Sequence, residues 1–166
     1  MEAGYRGIAL RPPAVQPADI ALWQRACLDG GAFGAALDGW RADLTGAPMR
    51  LDLPRPAGAA EGEAGTGRAG RVPVALPPGA LDRLAAIARE GRATLPMALM
   101  AAWGVLLSRA TGQDDLLIGI PAAARVRREM EETAGFLVNT LPLRVTLDGD
   151  PDFVAVVTRV RQRLLT

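Results

Sequence analysis

A chain of 166 residues suffices for one domain or a large part of one, and can bury a sizeable core. With 49% hydrophobic and 22% charged residues it reads as globular and not disordered, and a net charge of +1 calls for neither nucleic acid nor an anionic membrane as partner. There is no histidine and one cysteine, Cys27, which excludes within this chain the usual zinc sites, the histidine-based nucleophile systems and any intrachain disulfide.

Any catalysis by the chain itself would rest on carboxylates, Tyr5 or Cys27. All nineteen basic residues are Arg. Together with the abundance of Ala and Gly, this reflects a GC-rich coding bias more than a binding signal. Residues 1–10 lack the apolar core of a secretory signal, and the apolar stretch Leu95–Leu107, about 13 residues, is shorter than the roughly 20 of a membrane span. A cytoplasmic protein is expected.

In chain order, Arg11–Val15 is an extended lead-in broken by proline. Pro17 then starts a helix running to about Leu28, with its missing N–H in the first turn where it costs nothing. Cys27 rides on it as a core or half-buried thiol. Gly30 and Gly31 break it, and a second helix from about Ala32 to Leu44 puts Phe33, Leu37, Trp40 and Leu44 on one face. From Gly46 to Gly79, thirteen of 34 residues are Gly or Pro, and Gly58–Gly70 has no apolar side chain larger than Ala, as in a flexible connector.

Arg71–Leu76 alternates weakly and reads as a strand, placed at an edge by Pro73. Pro78 opens a helix whose buried stripe is Leu81, Leu84, Ala85 and Ala88, closed by Gly91. Thr94 caps the next helix, Leu95 to about Ala110, apolar nearly all round and so expected to be buried at the centre of the core. Leu116–Ile120 reads as a strand buried on both faces. Ala122–Thr133 reads as a charged loop or short helix, and Phe136–Leu147 as a second strand region alternating at Leu143, Val145 and Leu147. Asp150 and Pro151 start a C-terminal helix lined by Phe153, Val156, Val157 and Val160. Strands separated by helices point to an α/β fold.

Four ordered stretches resemble the condensation domain of nonribosomal peptide synthetases. Gln16–Arg25 (QPADIALWQR) is similar to the family's Tyr-x-Asp-Tyr-Ala-Val-Trp motif: Asp19, Ala21 and Trp23 match, while Pro17 and Ile20 stand where the family has aromatics. Leu51–Pro56 echoes the connector Leu-x-Leu-Pro-x-x-Arg-Pro, two residues shorter. Thr111–Asp115 and Ile118–Arg125 match a further stretch, with Ala124 in place of Gly or Asn. Gly135–Arg144 (GFLVNTLPLR) resembles Gly-x-Phe-Val-Asn-Thr with its downstream Arg, with Leu137 for Phe.

The resemblance implies a chloramphenicol-acetyltransferase-like fold of two lobes around a tunnel, present here incompletely and mainly as one lobe. Residues 1–45 would be bridging helices, 46–70 a flexible connector and 71–166 the core of the C-terminal lobe. The family's His-His-x-x-x-Asp-Gly motif would lie before Met1 and its Gln-Asp motif beyond Thr166, so the chain is expected to be the middle of a domain. No catalytic residue is expected in it, and no cofactor is expected to bind it directly. In the family, carrier domains deliver donor and acceptor on 4'-phosphopantetheine thioesters, and these carriers and adjacent synthetase domains are the implied partners.

Candidate tunnel residues on this resemblance are Asn139, Gly135 and Thr140. Asn139 is either an amide near the substrate thioester or one that satisfies backbone groups at a strand end. Asp19 is read either as facing the interlobe region or as capping its helix, Trp23 as a packing residue, and Arg125 and Arg144 either as partners in buried ion pairs or as surface residues. Two other readings stay open: a non-catalytic condensation-like module that binds carrier or tailoring proteins, and a free-standing α/β protein with no link to peptide assembly. An incomplete lobe should also expose apolar surface and bind a hydrophobic dye.

Overall fold

The computed structural model describes residues 13–54 and 70–165. Its elements are α1 (Pro17–Asp29), α2 (Gly34–Leu44), α3 (Ala80–Glu90), α4 (Leu95–Thr111), β1 (Asp115–Ala123), a 3-10 turn (Arg128–Met130), β2 (Val138–Thr146) and α5 (Phe153–Leu165). The expected mixture of helix and strand is present. Two compact units divide the chain: one takes everything up to Thr45 together with Ile120–Leu141, and the other takes Gly46–Gly119 with Pro142 onward. Most of the expected connector, from 55 to 69, lies outside the described residues.

In the first unit, α1 starts where Pro17 needs no partner for an N–H and where the Asp19 carboxylate accepts the Gln16 N–H at 2.9 Å. Its one buried side chain is Ile20. Gly31, at φ +71°, turns the chain toward α2.

The second unit packs α3, α4 and α5 against one another. Gly79 takes φ +72°, so α3 begins at Ala80 and not at Pro78. Leu81, expected in its buried stripe, is exposed, because the first turn is left uncovered among the described residues. Ala88 is buried, and Leu84, Ala85 and Ile87 are half-buried. Thr94, extended at φ −85° and ψ 160°, leads into α4, and Gly112 at φ +74° ends it.

Helix α4 departs from expectation. Ala98, Ala101, Gly104 and Leu107 are buried, but Leu99, Trp103 and Leu106 are 42%, 52% and 55% exposed. Only one face is covered among the described residues, so its apolar character all round does not translate into full burial. The covered face is built from small residues that let the backbone approach β2. A Cβ at Gly104 would stand 2.8 Å from Val145 Cγ1. Because Val145 is itself buried and stiff at χ1, we expect Gly104→Ala to lose about 1–3 kcal/mol to overpacking, more than the roughly 1 kcal/mol that Ala gains in helix propensity. A urea midpoint at or above that of the native chain would contradict this close approach.

β1 and β2 form a two-stranded sheet. The Leu147 N–H bonds the Asp114 carbonyl at 2.6 Å and the Ala124 N–H bonds the Leu137 carbonyl at 2.9 Å, which fixes an antiparallel register with Leu116 opposite Val145 and Gly119 opposite Pro142. In this register Pro121 and Pro142 occupy non-hydrogen-bonded positions, so neither removes a ladder bond. β1 is not buried on both faces as expected: Leu116 is its one buried residue, and on β2 burial falls on Leu143 and Val145, the side that meets α4. The strand expected at Arg71–Leu76 is absent. Val72, Val74 and Leu76 are exposed at 84%, 81% and 52%, since a strand needs a neighbour and the described sheet holds only β1 and β2.

Helix α5 is capped by Asp152, not Asp150. The Asp152 carboxylate accepts the Ala155 N–H at 2.7 Å, while Asp150 takes φ +50° in the turn after Gly149. Arg159 reaches back to the Thr146 carbonyl at 3.0 Å and the Asp148 carboxylate at 3.1 Å, tying the turn to the helix. Val156, Val157 and Val160 form its buried face. No single helix among the described residues is long and apolar enough to cross a membrane.

Candidate functional site

Six of the seven singled-out residues fall in the first unit: Asp19 and Trp23 on α1, Arg125 after β1, and Gly135, Asn139 and Thr140 around the start of β2. Arg144 belongs to the second.

The segment between the strands is organised by Arg125. Its guanidinium donates to the Met130 carbonyl at 2.7 Å, the Thr133 carbonyl at 2.9 Å and the Gly135 carbonyl at 3.4 Å. Of the two roles open to it, ion pair or surface residue, it takes neither. A planar fork of donors suits carbonyls converging from one turn as well as it suits a carboxylate. Met130 is buried beneath this turn.

Thr133 was not singled out from sequence, yet it is the one buried polar residue among those described, at 2% exposure. Its hydroxyl donates to the Val15 carbonyl at 2.8 Å, joining the turn to the lead-in of α1. Nothing in its sequence context, beside Glu131 and Glu132, marks it. Gly135 lies where a Cβ would come within 3.1 Å of Pro17 Cγ, so a side chain there would press on the first turn of α1.

Asp19 closes the first turn of its helix, as the capping reading expected. Trp23 is half-buried, with the Arg127 guanidinium 5.0 Å from its ring centroid.

Asn139 and Thr140 are exposed. The Asn139 Oδ1 accepts the N–H of Thr140 at 2.9 Å, and its Nδ2 has no partner among the described residues. Half of the carboxamide thus satisfies backbone at the strand, and the other half remains able to donate. Phe136, 90% exposed, stands three residues before it.

Of the two roles left open for it, Arg144 takes the ion pair. Its Nε and Nη2 reach the Asp115 carboxylate at 3.0 and 2.7 Å, with the two side chains 17% and 28% exposed. The hydrogen bond to Asp115, together with its charge, raises the Arg144 pKa above its ordinary value despite partial burial. The pair bridges the two strands on the face opposite Leu116 and Val145.

Chemically, this arrangement presents an amide, a hydroxyl and backbone groups. With no histidine in the chain, it offers no usual base near neutral pH. The described residues contain no cluster of His, Cys, Asp or Glu able to hold a metal ion.

Comparison with known proteins agrees with the motifs. A family model described as Condensation domain matches residues 3–166. The chain is 39% identical over 153 residues to malpibaldin synthetase of Mortierella alpina, covering 92% of this chain and 3% of that protein. It is 40% identical over 153 residues to a linear gramicidin synthase of Brevibacillus parabrevis, covering 91% and 3%. Among solved structures it matches the complex of the X-domain and OxyB from teicoplanin biosynthesis, with a TM-score of 0.82 and 30% identity over 98% of this chain and 37% of that one. The chain thus spans a small part of the synthetases and little more than a third of the solved domain. These matches remove the reading of a free-standing α/β protein unrelated to peptide assembly, and the chain belongs to the condensation domain family of nonribosomal peptide synthetases, with its chloramphenicol-acetyltransferase-like fold.

Proposed function

We propose that this chain forms part of the bridge and one tunnel wall of a condensation domain whose parent synthetase acts in the cytoplasm. The parent joins an acceptor amine to a carrier-bound aminoacyl or peptidyl thioester. The amine nitrogen attacks the thioester carbonyl, a C–N bond forms, the C–S bond breaks and the carrier thiol leaves. The observation that carries this reading is the Gly135–Arg144 stretch. It has the family pattern, and it presents the Asn139 carboxamide at the surface with its donor end unused among the described residues.

The chain itself holds no cofactor on this reading. Both substrates arrive on carrier 4'-phosphopantetheine, so carrier and neighbouring synthetase domains are its partners. The base that takes the amine proton comes from a His-His-x-x-x-Asp-Gly motif elsewhere in the parent. General-base assistance contributes about 10²–10⁴-fold, and substrate alignment about 7–11 kcal/mol, so the chain alone is expected to form no amide from loaded carriers above the buffer rate. Turnover by the isolated chain would overturn this.

In the intact parent, Asn139→Ala is expected to lower kcat about tenfold, the worth of roughly one hydrogen bond of 1.4 kcal/mol to the reacting thioester, while the exposed bond to the Thr140 N–H costs no more than about 0.5 kcal/mol of stability. Unchanged turnover with lower stability would instead assign Asn139 to the strand end.

A second reading is favoured by the overlap with the X-domain, a relative solved in complex with OxyB. Here the parent binds a carrier or tailoring protein through its surface and performs no chemistry. The upstream coding DNA separates the two: an intact His-His-x-x-x-Asp-Gly supports amide formation, and a degenerate one supports the binding module.

A further inference from the structure

Between α2 and Pro54 the chain has neither helix nor strand. Met49 and Leu53 are 89% and 51% exposed, and Leu51 is half-buried, so apolar burial holds this segment weakly. The Arg50–Asp52 ion pair, 3.4 Å apart and exposed on both sides, adds little. One side chain instead reaches the segment from about sixty residues away. At the corner between α4 and β1, Gln113 Nε2 donates to the Arg50 carbonyl at 3.1 Å while its Oε1 accepts the Asp52 N–H at 2.9 Å. A primary amide carries donor and acceptor side by side, so it pairs with an extended segment much as a neighbouring strand does.

Gln113 is itself held in place. Its own N–H donates to Thr111 Oγ1 at 3.2 Å, and that hydroxyl donates to the Leu107 carbonyl at 2.8 Å, on the buried face of α4. Gly112 at φ +74° makes the corner that aims Gln113 at residues 50–52.

We propose that Gln113 is a latch and that residues 47–54 are a strap which opens and closes as a local event, without melting of α3, α4 or α5. The two amide bonds are made by exposed groups and can be released singly, whereas the helices are held by shared apolar packing. A closed strap shields the Arg50–Leu51 peptide bond, because a protease must take several residues in extended form into its cleft and can do so only from the open state. This inference does not depend on the amide-forming or binding role of the parent.

The test uses the full chain and two readouts: hydrogen exchange at the Asp52 amide, and tryptic scission after Arg50 followed by mass spectrometry. In Gln113→Ala both are expected to accelerate about tenfold, with exchange in α3, α4 and α5 unchanged. Gln113→Glu keeps the acceptor for Asp52 and loses the donor to Arg50, so its acceleration should be smaller. Rates within twofold of the native chain at both readouts would overturn the latch. Equal acceleration throughout the helices would also overturn it, because the strap would then not be separable from the fold. Should Gln113→Ala fail to fold, the native chain decides: slower exchange at Asp52 than at exposed Leu53 supports the latch, and equal exchange refutes it.

Discussion

Replacing Arg125 with alanine is expected to destabilise the first unit by about 3 kcal/mol. A hydrogen bond from a charged donor contributes about 1.5–3 kcal/mol, and Arg125 makes two of good length and one long one. The upper end of their sum is not reached, because Arg125 is only half-buried and water can reach part of the turn that it leaves. Arg125→Lys should recover at most one of the bonds, since an ammonium cannot present a planar fork to three carbonyls. Urea unfolding gives the size of the effect, and hydrogen exchange across residues 130–135 gives its place. An alanine variant within about 0.5 kcal/mol of the native chain would mean that the turn is held by Thr133 and Met130 without the guanidinium.

The second large effect is expected at Leu116→Ala, at about 2–5 kcal/mol. Leu116 is 1% exposed and opposite Val145, which α4 approaches closely at Gly104. Truncation loses the transfer energy of the side chain and leaves a cavity that a two-stranded sheet under a helix can only partly collapse. Leu106→Ala on the outer face of α4, 55% exposed, is the matched control and should change stability by no more than about 0.5 kcal/mol. The same control should reduce binding of a hydrophobic dye, whereas Leu116→Ala should increase it. Equal losses at the two positions would mean that the outer face of α4 is covered in solution.

Much of what depends on a few neighbouring residues was legible in the sequence, although the helix starts expected at Pro78 and Asp150 fall two residues later, at Ala80 and Asp152. Pro17 and Thr94 mark helix starts because they act on their own first turn, and Gly112 marks an end because it readily takes φ +74°. What depends on a distant partner was not legible. Val72, Val74 and Leu76 have the alternation of a strand, but alternation describes a face and does not supply a neighbour to pair with. Leu99 and Trp103 differ from Leu107 only in what covers them. Asp150 and Asp152 flank Pro151 symmetrically in sequence, and only the φ of +50° at Asp150 shows which one can cap.

The candidate site divides in the same way. The motif pattern places Gly135, Asn139 and Thr140 at one strand entrance. Arg125 was legible as a motif residue but not as a ligand of carbonyls, because an arginine beside a run of glutamates reads most simply as half of an ion pair. Thr133 was invisible because a threonine becomes informative only when its hydroxyl is seen to be buried against Val15.

The two strand prolines matter outside the fold as well. Among the described residues the sheet is a two-stranded ribbon with an outer edge on each side, and an exposed row of donors at such an edge is a template on which other chains can pair and aggregate. Pro121 and Pro142 sit at positions whose N–H would otherwise point outward, one on each strand. Each edge therefore has a gap in its row of donors where an incoming strand would seek a bond, so neither side offers an unbroken seed for intermolecular sheet growth.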